Sequence, residues 1–172
     1  MKKLLLIVDM QNGFVTEGSR HIIPVIDGLI RKFKSADFPV AFTRFINYDK
    51  SPWVKWIKWS RFMDSPEIDI IPELSQYADV VFDKKGLYTG FTNEFKDYIK
   101  KNEIQEIYLC GVATDGCVLK TAVDAFERGI EPIVIEDASH SHAGENVHQA
   151  GLLLISRFIG KNQIIQSKDL RL

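Results

Sequence analysis

Leu109-Cys110-Gly111-Val112-Ala113-Thr114-Asp115-Gly116-Cys117-Val118 runs from an apolar strand through a turn of small residues into a helix that begins near Asp115. A thiol in the first turn of a helix meets unpaired backbone N–H groups and the positive end of the helix dipole, both of which favour thiolate over thiol. The stretch therefore predicts a strand that delivers a nucleophile, Cys117, to a helix start.

Working outward, short Val/Ile/Leu-rich runs at 4–8, 40–43, 80–82, 107–112 and 133–135 have the composition of strands buried on both faces, and Ile164 and Ile165 add a sixth. Between them, 25–35, 93–101, 115–128 and 145–159 carry apolar residues at helical spacing. Gly129 and Gly160 follow two of these segments as C-terminal stops. Alternating β and α segments joined by crossovers of this length predict a three-layer, doubly wound α/β fold, with a six-stranded, mostly parallel sheet flanked by helices.

Composition narrows the classes of function. The chain has 172 residues, which suits one domain over 1–172. A formal net charge of -1 gives no basic face for nucleic acid. Two cysteines supply no disulfide framework, and a reduced, cytoplasmic setting is the simpler reading. The apolar run after Lys3 ends at Asp9 and reads as a strand rather than a leader, and no stretch reaches the roughly 20 apolar residues of a membrane span.

Residues 46–72 break the alternation. This segment is too long for a plain connection and holds Trp53, Trp56 and Trp59, with Arg61 and Phe62 nearby. Insertions of that length in compact domains serve as lids or binding loops. Tryptophans at a spacing of three also suit the anchoring of a short helix or the burial of a subunit interface.

In doubly wound sheets ligands bind beyond the carboxyl ends of the strands. Asp9, one of Lys84 and Lys85, and Cys117 all fall there. Singly, each has a plain structural reading: a strand-end carboxylate, a surface pair of lysines, a small buried thiol. Together they make a complete chemical set, in which a carboxylate takes and returns a proton, a thiol attacks, and an ammonium balances the charge.

On these residues the chain resembles the isochorismatase-like cysteine hydrolases, a superfamily that includes nicotinamidases and N-carbamoylsarcosine amidases. Leu6-Ile7-Val8-Asp9-Met10-Gln11-Asn12 resembles the family's opening strand. Lys85-Gly86-Leu87-Tyr88-Thr89-Gly90-Phe91 looks like its lysine block, whose spacing selects Lys85. Gly111 to Val118, followed by Thr121-Ala122 and Asp124-Ala125, looks like its nucleophile motif. The resemblance implies Asp9, Lys85 and Cys117 as catalytic residues and a cis peptide bond between Val112 and Ala113. It further implies an oxyanion hole from the N–H groups of Ala113 and Cys117, a thioester route, and assembly as a homodimer or larger homo-oligomer.

Where nicotinamidases carry an Asp-x-His pair for a metal, this chain reads Thr43-Arg44-Phe45-Ile46-Asn47-Tyr48-Asp49-Lys50, with no histidine between His21 and His140. No metal and no cofactor are therefore expected. The four histidines are placed outside the pocket or on its far rim. Phe14, Arg44, Trp53, Trp56 and Arg61 are the candidate substrate contacts, the two arginines as partners for a substrate carboxylate. Cys110, in mid-strand, reads as core; Gln11 and Asn12 either orient substrate or bond locally; Thr114 either caps the helix or touches Asp9. A receiver domain lacks its acidic cluster here. The expected activity is hydrolysis of a small amide or related C–N bond, with an isochorismatase-type ether hydrolase or a redox-active thiol protein as alternatives.

Overall fold

The structure is a computed structural model that describes residues 2–172. Six parallel strands form one sheet: β1 (Lys2–Val8), β2 (Val40–Ile46), β3 (Val81–Lys85), β4 (Ile104–Val112), β5 (Glu131–His140) and β6 (Ile164–Ile165). Their spatial order is β3-β2-β1-β4-β5-β6. The helices are α1 (Ile23–Ser35), α2 (Pro72–Ser75), α3 (Asn93–Lys101), α4 (Leu119–Glu127) and α5 (Glu145–Ile159). This is the α/β architecture that the alternation of segments predicts.

The central strands sort the chain into two cores. In β1, Leu5 and Ile7 pack with Ile26, Leu29, Ile30 and Phe33 of α1, while Leu4, Leu6 and Val8 pack on the other face with Phe95 and Ile99 of α3 and Ala122 and Ala125 of α4. β4 alternates likewise, sending Cys110 and Val112 toward α1 and Ile107 and Leu109 toward α4. Period-2 alternation with both faces covered explains why these strands read as unbroken apolar runs. Helix boundaries follow local chemistry. Pro24 sits in the first turn of α1, and the Thr92 hydroxyl caps α3 by accepting from the Phe95 N–H.

The order of strands reverses between β1 and β4, and there the two strands touch most closely. Gly111 has φ +110°, and a Cβ on it would lie 2.2 Å from the Val8 carbonyl oxygen. Only glycine fits such a position. Crevices at this switch point, beyond the carboxyl ends of the strands, are where doubly wound folds bind ligands.

Several strands outlast their apolar cores. β2 continues to Ile46, β3 to Lys85 and β5 to His140, because backbone pairing continues under polar side chains once a neighbouring strand is in register. Residues 46–72 hold one π-helical turn, Trp53–Ile57, a cis Ser65–Pro66 bond and the Gln11–Ile70 bridge that ties the segment back beside β1.

Candidate active site

Asp9 is the first residue past β1. It has φ +49°, a left-handed conformation that aspartate tolerates better than most residues. Its side chain is fully buried. Oδ1 accepts a 2.7 Å bond from the Thr43 hydroxyl of β2, and Oδ2 accepts a 2.6 Å bond from an ammonium of β3.

That ammonium belongs to Lys84, not Lys85. Phe82 and Lys84 are buried, whereas Asp83 and Lys85 are exposed. Residues i and i+2 of a strand share a face, so the parity that packs Phe82 against Phe95 of α3 turns Lys84 inward and Lys85 out. Motif spacing missed this because both lysines still lie within the strand, where a slip of one residue changes the face. Lys84 Nζ also donates to the Tyr88 carbonyl at 3.0 Å. Burial alone would lower its pKa, but Asp9 and Cys117 outweigh burial and raise it above the ordinary lysine value.

Cys117 lies on the π-helical turn Thr114–Val118 that joins β4 to α4, and its side chain faces both Asp9 and Lys84. The Val112–Ala113 peptide bond is cis. The Thr121 hydroxyl links the turn to the 86–92 loop, donating to the Cys117 carbonyl at 2.6 Å and accepting from the Gly90 N–H at 2.9 Å. Burial works against the thiolate that a place in the first helical turn favours. Burial pushes its pKa up to about 12, with Lys84 pulling down and Asp9 pushing up.

A pocket of about 290 Å³ opens over Cys117, walled by Phe14, Phe45, Trp53, Trp59 and Tyr88 and floored by Val112, Ala113 and Gly116. Phe14 and Trp53 line this pocket. Trp56 does not: it is 78% exposed and lies outside the lining. Both arginines are engaged elsewhere. Arg44 makes a two-pronged pair with Asp83 at 2.8 and 2.9 Å, Arg61 pairs with Glu67 at 2.7 Å, and neither lines the pocket.

The remaining candidates settle by geometry. The Gln11 amide bonds the backbones of Phe45 and Ile68, and Asn12 donates to the Pro66 carbonyl, so both hold the 46–72 segment. Thr114 neither caps its own helix nor touches Asp9; its hydroxyl meets Nδ1 of His148 at 2.8 Å. His142 lines the pocket and stacks on Phe14, whereas the sequence places all four histidines outside the pocket or on its far rim. Sequence reasoning also missed Phe45 and Tyr88, although Phe45 shares its strand face with the buried Thr43 and offered a signal.

A family model described as the isochorismatase domain matches residues 3–162. The chain belongs to the isochorismatase family. This isochorismatase-family hydrolase is 35% identical over 180 residues to isochorismatase family protein 2A of Dictyostelium discoideum, a match covering 96% of this chain and 83% of that one. It is 26% identical to a ureidoacrylate amidohydrolase of Azorhizobium caulinodans, covering 91% and 84%. The crystal structure of N-carbamoylsarcosine amidase from Thermoplasma acidophilum superimposes with a TM-score of 0.85 at 25% identity and covers 99% of each chain. No helix among the described residues is long and apolar enough to cross a membrane.

Proposed function

We propose that this isochorismatase-family hydrolase cleaves a small amide or related C–N bond through a thioester on Cys117. The observation that carries the reading is the buried Lys84–Asp9 pair facing the Cys117 sulfur at the base of an aromatic pocket.

In this mechanism Asp9 removes the Cys117 proton as the sulfur attacks the substrate carbonyl. Burial raises the pKa of the Cys117 thiol, so a base beside it is needed to draw off the proton, and Asp9 is placed to be that base. Lys84 balances the charge on Asp9 and the developing thiolate. The N–H groups of Ala113 and Cys117 receive the oxyanion, and a single such donor is worth about 3 kcal/mol. Asp9 then returns its proton to the departing amine, and water hydrolyses the thioester. No step calls on a metal or cofactor.

The wall of the pocket supports a compact, flat acyl group without a carboxylate, because Arg44 and Arg61 are already paired outside the lining. An enzyme residing in the cytoplasm as a homodimer or larger homo-oligomer completes the reading, with exposed Trp56 and Ile57 as surface for a second copy to cover. A redox thiol finds little support: Cys110 is buried in the opposite core layer from Cys117 and cannot act as a resolving partner.

The test is ammonia release from a panel of small neutral amides by wild type and Cys117→Ala, with intact-mass detection of an acyl adduct. An adduct on Cys117 and a silent Cys117→Ala enzyme are expected. Normal turnover by Cys117→Ala overturns the reading.

A further inference from the structure

At one place α5 approaches the nucleophile turn more closely than a side chain permits. A Cβ on Gly151 would lie 2.8 Å from the Asp115 nitrogen and 3.0 Å from the Thr114 carbonyl carbon. Such contact leaves no slack between helix and turn. One helical turn earlier, on the same face of α5, His148 Nδ1 meets the Thr114 hydroxyl at 2.8 Å, with both residues buried. His148 lies outside the pocket lining, so it cannot act on a substrate directly.

We propose that His148 is a positioning residue: through Thr114 it fixes the turn that presents the Cys117 sulfur to Asp9 and Lys84, with Gly151 as the stop against which that turn is held. This rests on Cys117 being the nucleophile. Thr114 opens the turn and Cys117 follows three residues later, so freedom at Thr114 passes directly to the sulfur. Small misplacements of reacting groups cost on the order of 100-fold in rate.

The surroundings of His148 add a pH signature. Its ring lies 5.2 Å from that of His140 on β5, and His140 lies 4.9 Å from His21 on the turn Glu17–Ile22. Glu145 on α5, Glu136 on β5 and Asp115 on the nucleophile turn are the carboxylates around it. Burial pulls the His148 pKa below the ordinary imidazole value, with those carboxylates pulling upward and His21 adding to burial. Acidification below the ordinary imidazole range places charge beside His140 and leaves Nδ1 able only to donate to the Thr114 hydroxyl, which changes the contact that holds the turn.

The experiment uses iodoacetamide as the probe of the Cys117 sulfur, read by intact mass, together with kcat and KM on the best amide of the panel. His148→Ala and Thr114→Val should each slow alkylation and kcat by about tenfold to a hundredfold, with KM changing less than about twofold. The double variant should be no worse than either single, because one contact has been removed twice. His148→Asn, which places an amide near the Nδ1 position, should restore most of the rate and shift the acid limb of the alkylation profile. Circular dichroism checks that each variant is folded, and Thr114→Val carries the test if His148→Ala is not. Unchanged kcat in folded His148→Ala or Thr114→Val, additive losses, or no recovery by His148→Asn overturns the clamp. Failure of Cys117 itself is separate: wild type would then form no acyl adduct, whatever His148 does.

Discussion

Lys84 Nζ lies 2.6 Å from Asp9 Oδ2, and neither side chain has any exposure to solvent. Removing one member of a buried pair strands the other charge in a medium that cannot solvate it, at a cost of about 3–5 kcal/mol. Lys84→Met should therefore lose activity and lower stability by that order, while Lys85→Met should change neither. Urea unfolding and ammonia release on the two variants check this, and an inactive Lys85→Met with an active Lys84→Met would reverse the assignment.

On the proposed thioester route Asp9→Asn and Cys117→Ala each remove a group that works together with the others, so each should reduce kcat by about 10⁴-fold or more. The two differ in stability. Cys117→Ala leaves the Lys84–Asp9 pair intact and should melt near wild type, whereas Asp9→Asn leaves the Lys84 ammonium without its counter-charge and should melt lower.

Stability should fall at alkaline pH. The pKa of Cys117 rises from an ordinary 9.0 to about 12 in the folded chain. A folded pKa above the unfolded one means that the unfolded chain loses its proton first. The contribution is thus fully present below pH 9 and is lost as pH climbs toward 12. Lys84 and Cys110, also raised, act in the same direction. Urea midpoints measured over this range should decline less steeply for Cys117→Ala than for wild type.

Substrate contacts should divide along the pocket lining. Trp53→Ala and Trp59→Ala should raise KM about tenfold, since a lost aromatic wall costs about a kcal/mol or more of binding. Arg44→Gln, Arg61→Gln and Trp56→Ala should leave KM for a neutral amide within about twofold of wild type. A large KM effect at Arg61 would show that the 46–72 segment rearranges over the substrate.

Exhaustive chelation should leave turnover unchanged. No group of three or more His, Cys, Asp or Glu side chains among the described residues is placed to hold a metal ion. Activity before and after chelator treatment, with and without added divalent metal, measures this.

The sequence made the sheet legible because its central strands are buried on both faces, and strong apolar runs such as Leu4 to Val8 admit few other readings. Asp9 and Cys117 were legible for the same reason, each following a strand whose end was plain. Lys84 was not, because β3 has only Val81 and Phe82 as apolar markers and its polar end disguises the alternation that distinguishes two adjacent lysines. Arg44 and Arg61 misled because their partners, Asp83 and Glu67, become neighbours only through the register of β2 with β3 and the path of the 46–72 segment. The hydrogen bond between Thr114 and His148 spans 34 positions, beyond any local signal.

The pocket's two kinds of wall have separate origins: Asp9, Lys84 and Cys117 sit at or just beyond strand ends locked by Gly111 and the β1–β4 register, while Trp53 and Trp59 come from an irregular segment bridged to the sheet by Gln11 and Asn12. Selection can rewrite that segment to admit new acyl groups without disturbing the chemistry beneath it. Directed evolution toward altered substrates should accordingly concentrate its diversity between positions 46 and 72 and hold the strand tips constant.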